Sequence, residues 1–473
     1  MANTLAYGFK KQLWLILAIT IFVVVQGSFN YPHSKSTKVE VRAIKTVDFI
    51  DSIGVEVRTY PERNDILWTE TIEPRLRELG VRHIRTNISQ PGISLKDGSR
   101  GKITADRLNR LATLDPPIKT TGILREFGTW ESKQNAIKYL QDSLEAIEAP
   151  NEPNRRGEGF DYFDANGLRH GYYDLEGDGE KEVVEQGWVH GVSLFMEDLY
   201  TSVKKVSDLK VLSFSPTVSG YEQVAEYQRK QDWRLEDWID YGNFHIYRNN
   251  LPERVNLHLN RVRATMYPTK PLIVTETGYS TSKEDWANVP NEQIQATYNL
   301  RTLLELFSLN VKRTYIFSLL RLKHGRYFSL LDPDDLESPV YEPKTSFDAI
   351  RDTISILTGG DSNFDPGVLH YELINESNNN VNNLNLKHNL VLQKSDGRFY
   401  LILWLAIPYR ERDRNLNLKF KVNNSDFEAA NIYQPITNGS KIVSKIAQPE
   451  IFNSIEVKDQ PSIIELIPNS HFK

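Results

Sequence analysis

The chain has 473 residues, a net charge of −5, 40% hydrophobic and 25% charged residues, the make-up of a soluble globular protein with length for a large domain and a smaller one. No basic run follows the first segment, so nothing points to nucleic acid as a partner. Cysteine is absent, which excludes disulfides, thiolate metal sites and cysteine nucleophiles.

Lys10 and Lys11 precede an apolar run from Leu13 to Val25, followed by Gln26-Gly27-Ser28. A basic start, a short apolar core and small residues make a signal peptide over 1–27, and the run falls short of the ~20 residues of a spanning helix. The expected location is secreted or periplasmic. The alternative is a membrane-anchored protein facing outward, held by the same segment uncleaved. Residues 28–50 turn polar and then alternate loosely through Val39, Val41, Ile44 and Val47, which predicts one edge strand of an accessory sheet.

From residue 51 short apolar runs alternate with helical stretches, the signature of βαβ units and a parallel sheet. Strand one is read at Ile53–Val57, followed by a helix carrying Ile72, Leu76 and Leu79 that stops at Gly80. Strand two is Val81–Arg85, and strand three lies near Ile118–Leu124 with a helix from Lys133 to Ser143 behind it. Strand four is Leu144–Ala149, strand five Val211–Ser215, strand six Gly242–Tyr247 and strand seven Leu272–Thr275. A long helix near Gln293–Leu309 leads to strand eight at Thr314–Ser318, and a last helix, Lys344–Leu357, ends at Gly359-Gly360. Eight such strands predict an α/β protein, a (β/α)8 TIM barrel over 51–357. Beyond it, Asn375–Asn389 reads as an asparagine-rich loop. Phe399–Trp404, Leu416–Val422, Ala430–Tyr433 and Ile463–Ile467 read as strands of a C-terminal antiparallel β-sandwich over 358–473.

Two of the barrel strands end on glutamate, Glu152 after strand four and Glu276 after strand seven. The C-terminal ends of barrel strands converge on one mouth. Two carboxyls facing one bond are the minimum apparatus for cleaving a glycoside, one giving a proton and one attacking the sugar. A zinc site is a poor alternative, since the ten histidines include no His-x-His or His-Glu-x-x-His pair.

Asn151-Glu152-Pro153 at the end of strand four resembles the mark of the clan A glycoside hydrolases, and the following Asn154 looks like family 39 in particular. Thr275-Glu276 is similar to the nucleophile site of that clan, His245-Ile246-Tyr247 resembles the His-x-Tyr of family 5, and Arg85 is similar to an arginine near the nucleophile there. The resemblance spans about residues 51–357. It implies a retaining enzyme with Glu152 as acid/base and Glu276 as nucleophile, and with Asn151, Arg85, His245 and Tyr247 in the substrate site. Glu152 would then need a raised pKa, from burial and the neighbouring carboxylate.

The chain departs from the clan's pattern in two places. Strand eight runs Ile316-Phe317-Ser318-Leu319-Leu320-Arg321, without the tryptophan many members carry under the sugar, and strand one places Arg58 where a polar ring is common. Trp130, Trp188 and Trp286 lie on loops suited to sugar platforms, with Trp286 the first choice. Asp174, Glu176, Asp178 and Glu185 follow the spacing of a calcium loop. Glu at position three and Lys181 at position eight depart from it, so the reading is a solvated acidic turn, with no metal or cofactor and calcium at most structural. The partner expected is a poly- or oligosaccharide. The rival readings are a transglycosylase using the same residues and a catalytically inactive barrel that binds polysaccharide or acts as a scaffold.

Overall fold

The computed structural model describes residues 36–59, 65–88, 96, 99–155, 160–163, 168–173, 182–184, 187–217, 220–247, 251–282, 292–321, 327–333, 340–375, 388–408, 415–422, 426–447 and 455–469. Residues 1–27, read from sequence as a signal segment, the acidic residues of 174–181, Glu185, Trp286 and the asparagine-rich stretch 376–387 lie outside the described residues.

Eight parallel strands make the barrel: β1 (Ile53–Glu56), β2 (His83–Asn87), β3 (Lys119–Ile123), β4 (Leu144–Glu148), β5 (Lys210–Leu212), β6 (Gly242–Ile246), β7 (Leu272–Thr277) and β8 (Val311–Ile316). Their order in the sheet is β5-β4-β3-β2-β1-β8-β7-β6. The ring closes where Leu212 bridges Tyr241, with Asp240 N–H donating to Val211 O (2.8 Å) and Ser213 N–H to Tyr241 O (3.0 Å). The strands read as near-continuous apolar runs because both faces are buried, one against the helices and one inside the ring. Inside, Ala146, Leu212, Ile273 and Tyr315 pack on one another. Tyr315 explains Gly54: a Cβ there would sit 2.4 Å from the tyrosine ring. The Tyr315 hydroxyl bonds Thr121 Oγ1 (2.7 Å) and Glu145 Oε1 (3.1 Å), which fills the barrel toward its N-terminal end.

The boundaries read from sequence hold to within a few residues in the barrel. One difference is local. Thr46–Asp51 is a helix rather than the end of a strand, because Thr46, Phe49 and Ile50 bury one face at helical spacing. Ser36–Arg42 does form an edge strand, pairing antiparallel with Val368–Asn375.

The C-terminal part is two antiparallel sheets. The smaller runs Ser36–Arg42, Val368–Asn375, Leu416–Val422, Ile455–Val457. The larger runs Ile44–Lys45 (its one parallel member), Asn389–Gln393, Phe399–Leu403, Ser462–Pro468, Phe427–Tyr433, Ile442–Ala447. Sequence reading missed four of these strands: Val368–Asn375, Asn389–Gln393, Ile442–Ala447 and Ile455–Val457. In the larger sheet the alternation has a double purpose. Leu390, Leu392, Tyr400, Ile402 and Ile463 join the barrel's core, while Val391, Leu401, Leu403 and Ile464 fill the sandwich.

A buried ion pair fastens the two parts. Arg301, fully buried, donates through Nε and Nη2 to both oxygens of Glu253 (2.6 and 2.6 Å) and through Nη1 to Ile407 O (3.1 Å). Trp404 Nε1 adds a bond to Glu253 Oε1 (3.2 Å). Arg301→Met strands the Glu253 carboxylate without its cation, and should lower unfolding stability by about 3–5 kcal/mol. The double variant Arg301→Met/Glu253→Gln should recover part of that loss in urea titrations.

Candidate active site

One guanidinium organises the mouth of the barrel. Arg85 is an inward residue of β2 with no exposure at all. Its Nε and Nη2 donate to the two oxygens of Glu148 on β4 (2.6 and 2.8 Å). Nη2 also donates to Asn151 Oδ1 (2.7 Å). Nη1 donates to Glu276 Oε1 on β7 (2.7 Å) and reaches Glu56 Oε2 on β1 (3.2 Å). Burial disfavours this cation, but the charges of Glu148, Glu276 and Glu56 outweigh it and hold its pKa well above the ordinary value. Glu148 in turn accepts from Asn243 Nδ2 (3.0 Å) and Thr275 Oγ1 (3.0 Å), so its lone pairs are satisfied in the core.

Glu276 keeps its charge. Burial pushes the carboxyl up, but the charges of His245 and Arg85 outweigh burial and the opposing charge of Glu152, and its pKa falls below the usual value. The Tyr247 hydroxyl donates to Glu276 Oε2 (2.8 Å). His245 stands between the two glutamates, with Nδ1 3.1 Å from Glu152 Oε1 and 3.5 Å from Glu276 Oε2. Its backbone N–H is held by Ser215 Oγ (2.7 Å), and its Nε2 lies 3.2 Å from Thr275 Oγ1. Burial disfavours the imidazolium, yet the Glu276 charge and the Glu152 hydrogen bond prevail and raise its pKa. One oxygen of Glu152, one of Glu276 and a nitrogen of His245 all lie within 4.8 Å of one another.

Glu152 sits at the end of the β4 segment with φ +40°, a left-handed backbone that costs free energy for a residue with a side chain. The turn is fixed by Arg155 N–H to Glu152 O (2.8 Å) and by Asn154, whose side chain exchanges two 2.8 Å bonds with Thr217. Its pKa corrects the sequence-based expectation. Burial does raise it, but the hydrogen bond and charge of His245 and those of Arg155 (Nη1 to Oε2, 2.8 Å) hold it down to about 2. Without substrate this acid is an anion, and the proton beside it rests on His245.

The structure therefore brings together Arg85, Asn151, Glu152, His245, Tyr247 and Glu276. It corrects two other readings. Trp188 is a core residue, edge-on to Phe214 with its indole N–H on Gln223, and not a platform. Arg58 is exposed at the rim, and the β1 side chain facing Arg85 is Glu56, one inward position deeper. Burial and the Glu276 charge push Glu56 up to about 8 against the pull of Arg85, Arg58 and His245. Sequence reading missed Glu56 and Glu148. Both were findable, since a charged residue at an inward position near the C-terminal end of a barrel strand must meet a partner there. Trp130 is half-buried against Phe195. On β8 the missing tryptophan is replaced by an aromatic group. Phe317, joined to Ser318 by a cis peptide bond, Phe328 and Tyr247 pack edge to face with centroids 5.4–6.3 Å apart beside Glu276.

Among the described residues two sets of side chains could converge on a cation, Glu152/His245/Glu276 and Glu253/Glu305/His388. In each, a guanidinium already binds a carboxylate: Arg85 and Arg155 in the first, Arg301 in the second. A second cation would meet that charge at close range, so both read as ion-pair networks.

No family model matches the chain, and no curated protein does. Solved structures do. A glucosidase from Croceicoccus marinus is 9% identical with a TM-score of 0.57, covering 93% of this chain and all of that one. A GH39 β-xylosidase from Caulobacter crescentus is 13% identical with a TM-score of 0.54, over 90% of this chain and 98% of its own. A monomeric β-xylosidase from Caulobacter crescentus CB15 gives 13% and 0.53, over 91% and 98%. At such identities the likeness is one of fold, and it extends over barrel and sandwich together.

The depressed Glu152 pKa has a signed consequence. Its folded value lies near 2 against an ordinary 4.5, so its contribution to stability is full above pH 4.5 and is lost as pH falls toward 2. Glu152→Gln should flatten that acid loss by on the order of 2–3 kcal/mol, read from urea midpoints taken between about pH 5 and pH 2.

Proposed function

We propose that the protein is a retaining β-glycosidase acting on a poly- or oligosaccharide outside the cytoplasm, with Glu276 as nucleophile and Glu152 as acid/base. The observation that carries this is the separation of the two acids. One oxygen of each carboxyl lies within 4.8 Å of the other, which suits the ~5–5.5 Å spacing of retaining enzymes better than the ~6.5–9.5 Å of inverting ones. The likeness in fold to a glucosidase and to β-xylosidases supports the reading. So do the hydrogen bonds that hold both glutamates, from Arg85 and Tyr247 to Glu276 and from Arg155 to Glu152, which argue against an inactive scaffold. The apolar segment at 13–25 supports export.

The chemistry follows from the charges. Arg85 and Tyr247 hold Glu276 ionised and aimed while His245 keeps a proton 3.1 Å from Glu152. When a glycoside enters, its leaving oxygen takes the place of Arg155 at Glu152. Losing that cation raises the carboxyl's proton affinity, and the proton passes from His245 through Glu152 to the departing oxygen. Glu276 attacks the anomeric carbon and becomes a neutral ester. Glu152, now an anion again, takes a proton from water, which cleaves the ester with overall retention; a sugar hydroxyl in place of water would give transglycosylation. Arg85 holds Asn151 by its carbonyl oxygen, which leaves the amide N–H2 to donate to the sugar 2-hydroxyl. None of these steps calls for a metal or cofactor.

Glu276→Gln should abolish turnover of aryl β-glycosides. Glu152→Gln should lower kcat/KM for substrates with poor leaving groups by about 10²–10⁴-fold and spare kcat/KM for activated ones, whose kcat should still fall because the glycosyl-enzyme has lost its base. Proton NMR of the first-formed sugar should show the β-anomer, and an α-anomer would overturn the mechanism. Arg155→Gln removes one of the two cations, after His245, that depress Glu152, so the alkaline limb of the kcat/KM profile should move to higher pH. An unmoved limb would exclude the proton route through Glu152.

A further inference from the structure

Thr275, the residue before the nucleophile, has no part in the chemistry described above, yet three groups of the site meet at its hydroxyl. The side chain is fully buried on β7, with Oγ1 3.0 Å from Glu148 Oε1, 2.7 Å from Asn243 Oδ1 and 3.2 Å from His245 Nε2. A hydroxyl carries one proton, so counting donors decides what each contact is. Glu148 takes an N–H bond from Arg85 on each of its oxygens and is an acceptor. The Asn243 amide is oriented by Nδ2, which donates to Glu148 Oε1 and to Ser213 O (3.0 Å each). The atom it turns to Thr275 is therefore its carbonyl oxygen, a second acceptor. The Thr275 proton is committed to these two, and toward His245 its oxygen can only accept.

We infer that Thr275 is a positioning residue that fixes the proton pattern of His245: it keeps a hydrogen on Nε2 and makes Nδ1, the nitrogen facing Glu152, the one that gains and gives up the mobile proton. The inference deepens the glycosidase reading and rests on it for the part Thr275 has in turnover. A neutral ring with its hydrogen on Nε2 presents a bare Nδ1 lone pair to Glu152 Oε1 at 3.1 Å and Glu276 Oε2 at 3.5 Å. Two carboxylates facing a lone pair call for a proton there, and Glu148 behind Thr275 and Glu56 across the pocket add to the pull. Arg85 opposes it through charge, Arg155 draws on Glu152, and Tyr247 gives its own proton to Glu276. The raised pKa of His245 agrees with that balance. The pattern also decides whether the proton can be delivered. An imidazolium passes the Nδ1 proton to Glu152 and remains a neutral ring. In the other neutral tautomer the single hydrogen sits on Nδ1, and releasing it would leave an imidazolate, an anion among carboxylates. Ser215 Oγ holds the His245 backbone (2.7 Å), so the place of the ring does not rest on Thr275 alone.

Nitrogen-15 NMR of the histidine-labelled full chain reads the pattern without turnover, with the His245 signals assigned from their loss in His245→Gln. In the wild type, Nε2 should stay protonated across about pH 5–9, so that any titration is of Nδ1 alone. Loss of the Nε2 hydrogen as the ring turns neutral overturns the proposal. Thr275→Val keeps the shape and removes the acceptor. His245 should then titrate about one pH unit or more lower, with its remaining hydrogen on Nδ1. The alkaline limb of kcat/KM on aryl β-glycosides should move down by the same amount, opposite to the shift in Arg155→Gln. Thr275→Ser should restore both. A fall in kcat with the limb unmoved, or a His245 titration unchanged in Thr275→Val, makes Thr275 a packing residue and overturns the proposal. If no glycoside is turned over, the glycosidase reading fails, and the wild-type and Thr275→Val titrations still decide what Thr275 does to His245.

Discussion

The fully buried guanidinium of Arg85 is the constraint on which the barrel mouth depends. A charge taken out of water is tolerable only if carboxylates meet it with close geometry. Here Glu148 does so in bidentate fashion, Glu276 and Glu56 share a third nitrogen, and Asn151 takes the remaining direction. Strands β1, β2, β4 and β7 are thereby tied through one planar group. The planarity matters, because a flexible ammonium could hold the charge but not the angles.

That tie sets the electrostatics of the site. With Glu148 opposite it in the core, Arg85 has only part of its charge left for the mouth, and three more carboxyls compete there. Glu276 gains the shortest contact and stays ionised; Glu56, farther from the same nitrogen, is pushed up. His245 answers the remaining negative charge by holding a proton between Glu152 and Glu276. The acid is in effect a histidine–glutamate pair whose proton position depends on whether Arg155 or a substrate faces Glu152.

The sandwich belongs to the same structural logic. Its larger sheet is apolar on both faces because one serves the barrel helices and the other its own partner sheet. Arg301, buried between them, repeats at the interface the Arg85 solution of a guanidinium closed by a bidentate glutamate.

Much of this was legible in one dimension. Alternating apolar runs and helical stretches determined the eight barrel strands, since a parallel strand buried on both faces leaves an unmistakable run, and the register of those runs put Glu152 and Glu276 at one mouth. The strands of the sandwich were half legible. Val368–Asn375 and Ile442–Ala447 mix polar and apolar residues, as strands near or at sheet edges do, and give no run to find. What only the tertiary structure decided is the company each acid keeps. Glu56 and Glu148 look like ordinary strand residues until the barrel closes and points them at Arg85, and Glu152 looks like a ready proton donor until Arg155 and His245 stand beside it. A pKa is a sum over neighbours in space, and neighbours in space are what a linear sequence does not contain.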